Sequence, residues 1–175
     1  MFSGIGILGS ETGLERAPRV RGLDTLLATW FGLGFVPIAP GTFGSIGGLL
    51  FFLPVLDRSL SEQWIAWMLL TVIAVWSADR AGKAWGSIDH PAIVIDEVVG
   101  LWLAMLTPIF LFPAYSHSTA SLATSFFFFR IFDILKPWPI NWIEKKIPGG
   151  LGVVMDDLVA GLLAGFCATL LTLFL

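Results

Sequence analysis

Charge is scarce in this chain. Asp, Glu, Lys and Arg make up 13% of its 175 residues, about half of the roughly 25% that a typical soluble domain carries. So few charges cannot cover a globular surface, and hydrophobic residues reach 56% with a mean hydropathy of +0.84. The net charge of −3 offers no basic face, which excludes nucleic acid as a partner. Cysteine is nearly missing: Cys167 stands alone, so no disulfide framework can form within the chain. Imidazole is confined to His90 and His117.

What is present is long apolar sequence. The stretches from Asp24 to Asp57 and from Glu97 to Arg130 are uncharged inside, and Leu158 to Leu175 carries no charge either. The first two exceed the ~20 apolar residues that cross a bilayer. Only helices and closed barrels satisfy their backbone groups in lipid, and these runs lack the alternation of a barrel strand. The reading is an all-α, polytopic membrane helical bundle of about four to six membrane-embedded helices, placed near 23–36, 43–56, 62–80, 96–112, 119–135 and 155–175. The first is short and contains Gly32 and Gly34, so it is expected to be tilted, re-entrant or interfacial. Residues 1–22 read as a flexible tail and 23–175 as one membrane-embedded domain. The tail's apolar start precedes its charges, the reverse of a signal peptide. Its Gly4, Gly6 and Gly9 fit G-x-G-x-x-G, but without the flanking strand that a dinucleotide site requires.

Lysine and arginine set the orientation. Arg80 and Lys83 follow the third segment, and Arg130, Lys136, Lys145 and Lys146 follow the fifth; those ends are expected to be cytoplasmic. Parity then brings "PIAPGTFGS", "DHPAIVIDE", "RIFDILKPWP" and "GGLGVVMDD" to the same face. Ionisable residues bordering membrane spans are costly and mark functional sites.

"IDEVVG" at 95–100 and "MDDLVAG" at 155–161 share a plan: an acidic pair, branched aliphatics, then glycine. Asp133 adds a fifth carboxylate to Asp96, Glu97, Asp156 and Asp157, and lies three residues from both Arg130 and Lys136. Like charges in a low dielectric force protonation or require a cation. Carboxylate oxygens suit a hard metal such as Mg²⁺, and metal in turn suits a phosphate. Gly41, Thr42, Gly44 and Ser45 could offer backbone N–H groups and hydroxyls at a helix start, where anions bind. Plainer roles stay open at this point. Asp156 or Asp157 could cap the last helix, Asp133 could serve as counter-ion of Arg130, and "APGTFGS" could be a turn. His90 reads as a surface or capping residue, and Trp85, Trp138 and Trp142 as an interfacial aromatic belt.

The blocks "GFVPIAPGTFGS", "IVIDEVVGLW" and "RIFDILKPWPINWIEKKIPGGLGVVMDDLVAG" resemble, in order and spacing, the phosphatidylglycerophosphatase A family. The resemblance spans about residues 25–165. It implies Mg²⁺-dependent hydrolysis of phosphatidylglycerophosphate to phosphatidylglycerol and phosphate at the bacterial inner membrane, among membrane lipids. It also implies catalytic and metal-binding roles for Asp96, Glu97, Asp133, Asp156 and Asp157, beside the "PGT" and "KPWP" segments. Substrate contacts are expected at Gly41, Thr42, Ser45, Arg130 and Lys136. The oligomeric state is not legible.

Other phosphatase chemistries lack their residues. Cys167 sits in an apolar segment without a nearby arginine, and the two histidines fall far apart, His117 on the opposite face. The rival from another class is a transporter for a divalent cation or a proton, which would use the same acids. A conduction path needs polar groups through the membrane thickness, and between Val98 and Phe129 the chain offers Tyr115, His117 and scattered hydroxyls.

Overall fold

The computed structural model describes residues 18–113 and 118–174. Most of the tail, including Gly4, Gly6 and Gly9, and also Tyr115 and His117, lie outside them. Among the described residues every regular element is helical, as the apolar runs predict. Helix α1 (Leu23–Ala28) stops where Trp30 and Phe31 adopt left-handed backbone (φ 44 and 58). Its six residues rise about 9 Å, far short of the ~30 Å hydrocarbon core. The first apolar segment therefore does not cross as a helix. Helix α2 (Pro40–Phe52) opens with Pro40 in its first turn, where the missing N–H costs nothing. It starts three residues before the expected 43, so "PGT" belongs to the helix itself.

Helix α3 (Leu60–Trp85) begins at a capping box in which Ser59 and Glu62 satisfy each other's backbone amides, and Gly86 (φ 82) closes it as left-handed glycine commonly does. Helices α4 (Ile95–Leu111) and α5 (Thr119–Leu135) follow. Two findings depart from expectation after that. A short helix α6 (Ile140–Lys146) occupies a stretch read as a loop. Helix α7 (Gly149–Thr172) starts six residues before the expected 155. Asp156 and Asp157 are thus two turns inside α7 and cannot be its caps. The start is held by Asp79 of α3, whose Oδ1 accepts from Gly150 N at 3.3 Å, a carboxylate at the positive end of a helix.

The central element is α4, buried from Val98 to Ile109; a helix apolar all round belongs inside. Around it stand α2, α3, α5 and α7. Two indoles tie the layers together: Trp102 Nε1 donates to Gly48 O at 2.8 Å and Trp67 Nε1 to Val99 O at 3.0 Å. The start of α4 is fixed by Val94 N donating to Ala28 O at 2.9 Å.

Inward faces are lined with small residues and outward faces with large ones. On α3, Ala74, Ser77, Ala78 and Ala81 are buried, whereas Ile65, Met68, Leu69, Val72, Ile73 and Trp76 are exposed. That outward stripe repeats at three- and four-residue spacing, the inverse of a soluble amphipathic helix. Helices α3 and α7, with 26 and 24 residues, are each long and apolar enough to cross a membrane. Where α7 meets α4, a Cβ on Gly161 would overlap the Gly100 carbonyl, and a Cβ on Gly100 would lie 2.7 Å from the Asp157 carbonyl oxygen. Small residues permit such backbone approach in membrane helix pairs.

A Gly161→Val substitution is therefore expected to destabilise the bundle by about 1–3 kcal/mol through overpacking. Thermal unfolding in detergent checks this, with Leu162→Ala, a neighbour on the exposed face, expected to change little.

Candidate active site

The ends of three helices and the body of a fourth converge on one cavity of about 270 Å³. Helix α2 contributes Pro40 and Gly41, preceded by Ala39; the α3–α4 loop contributes Asp89, Pro91 and Ile93. The first turn of α4 supplies Asp96 and Glu97, the end of α5 supplies Arg130, Asp133 and then Lys136, and α7 supplies Asp156 and Asp157. All five acids singled out in the sequence thus line a single pocket. Their helices bring them there for different reasons: α4 delivers its pair at its start, where the dipole favours carboxylates, and α7 delivers its pair from two turns inside.

The acids divide by their partners. Asp133 Oδ2 takes Arg130 Nη1 at 2.6 Å, with both side chains nearly buried. Asp156 Oδ2 takes Lys136 Nζ at 2.7 Å, and its Oδ1 accepts from Asp157 N at 3.0 Å. The other three have no basic partner, and one oxygen of each, Asp96 Oδ1, Glu97 Oε2 and Asp157 Oδ2, is buried and unbonded. Oxygens of these same three residues lie within 4.8 Å of one another. Buried unpaired carboxylate oxygens are costly unless something cationic satisfies them, and an all-oxygen donor set fits a hard divalent ion. The residues present therefore fit a metal site formed by Asp96, Glu97 and Asp157.

The basic side chains reach the pocket by different routes than their shared spacing suggests. Arg130 lies on α5, and its Nη1 also donates to Ser45 Oγ at 3.2 Å; its Nε is buried without a partner. Lys136 is not on the face shared by Arg130 and Asp133. It leaves α5 in left-handed conformation (φ 41) and pairs with Asp156 and with Glu144 of α6 at 3.0 Å. Burial works against its charged form, but Asp156 and Glu144 outweigh it and hold its pKa above the ordinary lysine value.

The α2 start acts mostly through contact. Gly41 packs so closely that a Cβ there would overlap Glu97 Oε1 and sit 3.4 Å from Arg130 Nη2. Ser45 is fully buried and donates to Gly41 O at 2.9 Å, so its hydroxyl faces Arg130 and not the open pocket. Thr42 is half-buried and does not contribute to the lining. Trp85 is buried, 2% exposed, and does not belong to an interfacial belt; Trp138 and Trp142 are exposed at 79% and 54%. His90 shapes the α3–α4 loop, its Nδ1 accepting from Ala92 N at 3.1 Å; it caps no helix, since α4 starts at Ile95 without a side-chain cap.

Two further carboxylates are not singled out by the sequence. Asp89 of the α3–α4 loop lines the pocket. Glu144 pairs with Lys136 from outside that lining; it belongs to α6, which Ile140, Ile143 and Ile147 signal by their helical spacing.

Comparison with known proteins gives the family. The family model described as phosphatidylglycerophosphatase A matches residues 26–172. An Escherichia coli K12 protein named phosphatidylglycerophosphatase A is 35% identical over 139 residues, covering 79% of this chain and 77% of that protein. One from Haemophilus influenzae with the same name is 31% identical over 140 residues, 79% and 82% of the two chains. A Bacteroides thetaiotaomicron relative with the provisional name phosphatidylinositol-3-phosphatase is 35% identical over 144 residues, 79% of this chain and 87% of its own. No solved structure is similar. With the match running from α1 through α7 and the acids, Arg130 and Lys136 all within it, the chain belongs to the phosphatidylglycerophosphatase A family of phosphatases.

Proposed function

We propose that this enzyme hydrolyses the terminal phosphomonoester of phosphatidylglycerophosphate, releasing phosphate and leaving phosphatidylglycerol in the membrane. The observation that carries the reading is the set of three unbonded buried oxygens on Asp96, Glu97 and Asp157 beside two cationic side chains in one pocket. Six carboxylates against Arg130 and Lys136 repel a phosphate until divalent cation offsets them. Asp96, Glu97 and Asp157 hold Mg²⁺ in this proposal, since Asp133 and Asp156 are already committed to basic partners. Mg²⁺ bound there supplies polarisation of the phosphoryl oxygens and a lowered pKa for bound water.

The chain's own residues do the rest. Arg130, with Nε free, and Lys136 neutralise the three equatorial oxygens as charge spreads over them. Asp133 and Ser45 fix the guanidinium from behind. Water attacks phosphorus, the bond to the glycerol oxygen breaks, and a carboxylate of the cluster takes the water's proton for return to the leaving oxygen. Gly41 lets α2 press against Glu97 without pushing it out of the cluster.

The proposed setting is the cytoplasmic face of the bacterial inner membrane. Helices α3, α4, α5 and α7 cross the bilayer, and α2 with the turn that follows it carries the chain from the pocket face to the outer face, with residues 23–175 as one embedded unit. Lys83, Arg130, Lys136, Lys145 and Lys146 then sit at the pocket end, as the positive-inside rule asks. A cation pathway draws no support from the packing, because beyond the site α4 buries Val98, Val99, Leu101 and Leu106, with Thr107 its one buried polar side chain past the acids.

Purified wild type is expected to release phosphate from phosphatidylglycerophosphate in mixed micelles only with Mg²⁺. Asp157→Asn should lower turnover by about 100-fold or more with its melting curve retained. Absence of release with any divalent metal would sink the enzyme reading, and equal rates on phosphatidic acid would remove the headgroup specificity.

Gly41→Ala is expected to raise the Mg²⁺ concentration for half-maximal activity about 10-fold or more, as displaced metal-site neighbours do. An unchanged Mg²⁺ titration would show that Glu97 tolerates the added methyl group. For orientation, Lys145→Cys and Arg58→Cys in a Cys167→Ser background should label with a membrane-impermeant maleimide from the cytoplasmic and the outer side respectively. The reverse pattern would overturn the topology.

A further inference from the structure

Glu144 has no part in the reaction as derived above, yet it holds one of the two cations that do. Its Oε1 accepts from Lys136 Nζ at 3.0 Å, while Asp156 Oδ2 takes the same ammonium at 2.7 Å. The two acids come from separate elements, α6 and α7, and differ in exposure: 38% for Glu144 and 5% for Asp156. Lys136 is held between a carboxylate that lines the pocket and one that lines an adjoining cavity shared with Asp156.

That arrangement answers a problem set by lysine itself. An ammonium on a four-carbon stem is a compact point charge without a preferred direction, unlike a guanidinium fork. With Asp156 as sole partner it would be drawn inward among the acids and cancelled there. A second carboxylate, the more exposed of the two, holds it against that pull. Of the three donors on the ammonium, two are then engaged, leaving one free. The backbone serves the same end. Lys136 adopts φ 41 and ψ 55, a region that residues with side chains rarely occupy and that persists only where the surroundings enforce it. This turn ends α5 and brings α6, with Glu144, back across the pocket.

We propose that Glu144 is a positioning residue: held between Glu144 and Asp156, Lys136 Nζ keeps its third donor directed at the phosphomonoester of the substrate. The proposal rests on the phosphatase reading of the pocket. It makes a prediction opposite in sign to simple electrostatics. Glu144 is an anion near an anionic substrate, so by charge alone its neutralisation would strengthen substrate binding. If it positions Lys136, neutralisation weakens binding instead.

The test compares Glu144→Gln, Glu144→Asp, Lys136→Met and the Glu144→Gln/Lys136→Met pair, by kcat and KM for phosphatidylglycerophosphate in mixed micelles at saturating Mg²⁺. Inorganic phosphate serves as a competitive inhibitor for a second readout. Glu144→Gln is expected to raise KM and the phosphate inhibition constant about 5- to 20-fold, the scale of one charge-assisted hydrogen bond, with kcat within about two-fold. Glu144→Asp should recover most of that loss. In the Lys136→Met background, adding Glu144→Gln should change nothing further, as expected when one residue acts through the other. A KM that falls or stays constant in Glu144→Gln overturns the proposal, and so does an equal effect with Lys136 already removed. Lys136→Met without effect on either constant would instead overturn the phosphate-binding reading of Lys136 itself, and inactivity of the wild type would overturn the substrate assignment.

Discussion

Two backbones touch where α4 crosses α7, and the placement of Asp96, Glu97 and Asp157 follows from that contact. Gly100 lies against the Asp157 carbonyl, and Gly161 lies against the Gly100 carbonyl. Because both glycines lack a Cβ, the helices approach until acids one turn earlier on each come within reach of a common point. Asp96 and Glu97 precede Gly100 by four and three residues, as Asp157 precedes Gly161 by four. The repeated plan of an acidic pair, aliphatics and glycine thus has a mechanical meaning: glycine sets the approach and the carboxylates occupy the gap. Three carboxylates with oxygens within 4.8 Å of one another repel strongly when ionised in a low dielectric. The packing of α4 on α7 and the demand for a cation are the same constraint seen from two sides.

The remaining acids serve the cations. Asp133 holds Arg130 from one side of the pocket and Asp156 holds Lys136 from the other, each at 2.7 Å or less. Paired in this way, the basic groups stay in the site despite their long side chains, and the unpaired carboxylates remain available. The adjacent residues Asp156 and Asp157 take different parts because about 100° of helix rotation separates them. One faces α5 and α6, the other faces α4. A sequence reading sees two equal aspartates; the helix makes them unequal.

Much of this was legible in the chain. Apolar runs located the long helices, and basic residues predicted that the acidic segments share one end of the bundle, where the structure brings them to one pocket. The misses have physical reasons. "PGGLG" reads as a loop because glycine is a poor helix former, but Gly150 and Gly152 are buried and let the first turn of α7 pack on Asp79 and Ile147, where tertiary contact outweighs propensity. Helix α6 is too short to show more than a hint of periodicity. Thr42 and Ser45 resembled phosphate ligands while "APGT" read as a loop; once that segment is the first turn of α2, Ser45 turns inward toward Arg130 and Thr42 turns aside. Trp85 looked interfacial by composition, yet it fills the interior beside His90 and Phe35.

The two faces of α3 carry a last consequence. Inward, Ala74, Ser77, Ala78 and Ala81 admit only side chains of similar volume, since α4 and α7 leave no room. Outward, Ile65, Met68, Leu69, Val72, Ile73 and Trp76 are exposed, and in a bilayer any apolar side chain would serve there. Substitution on α3 is thus limited by size on one side and by polarity on the other. The outward surface can change shape freely while the packing that assembles the pocket stays as it is.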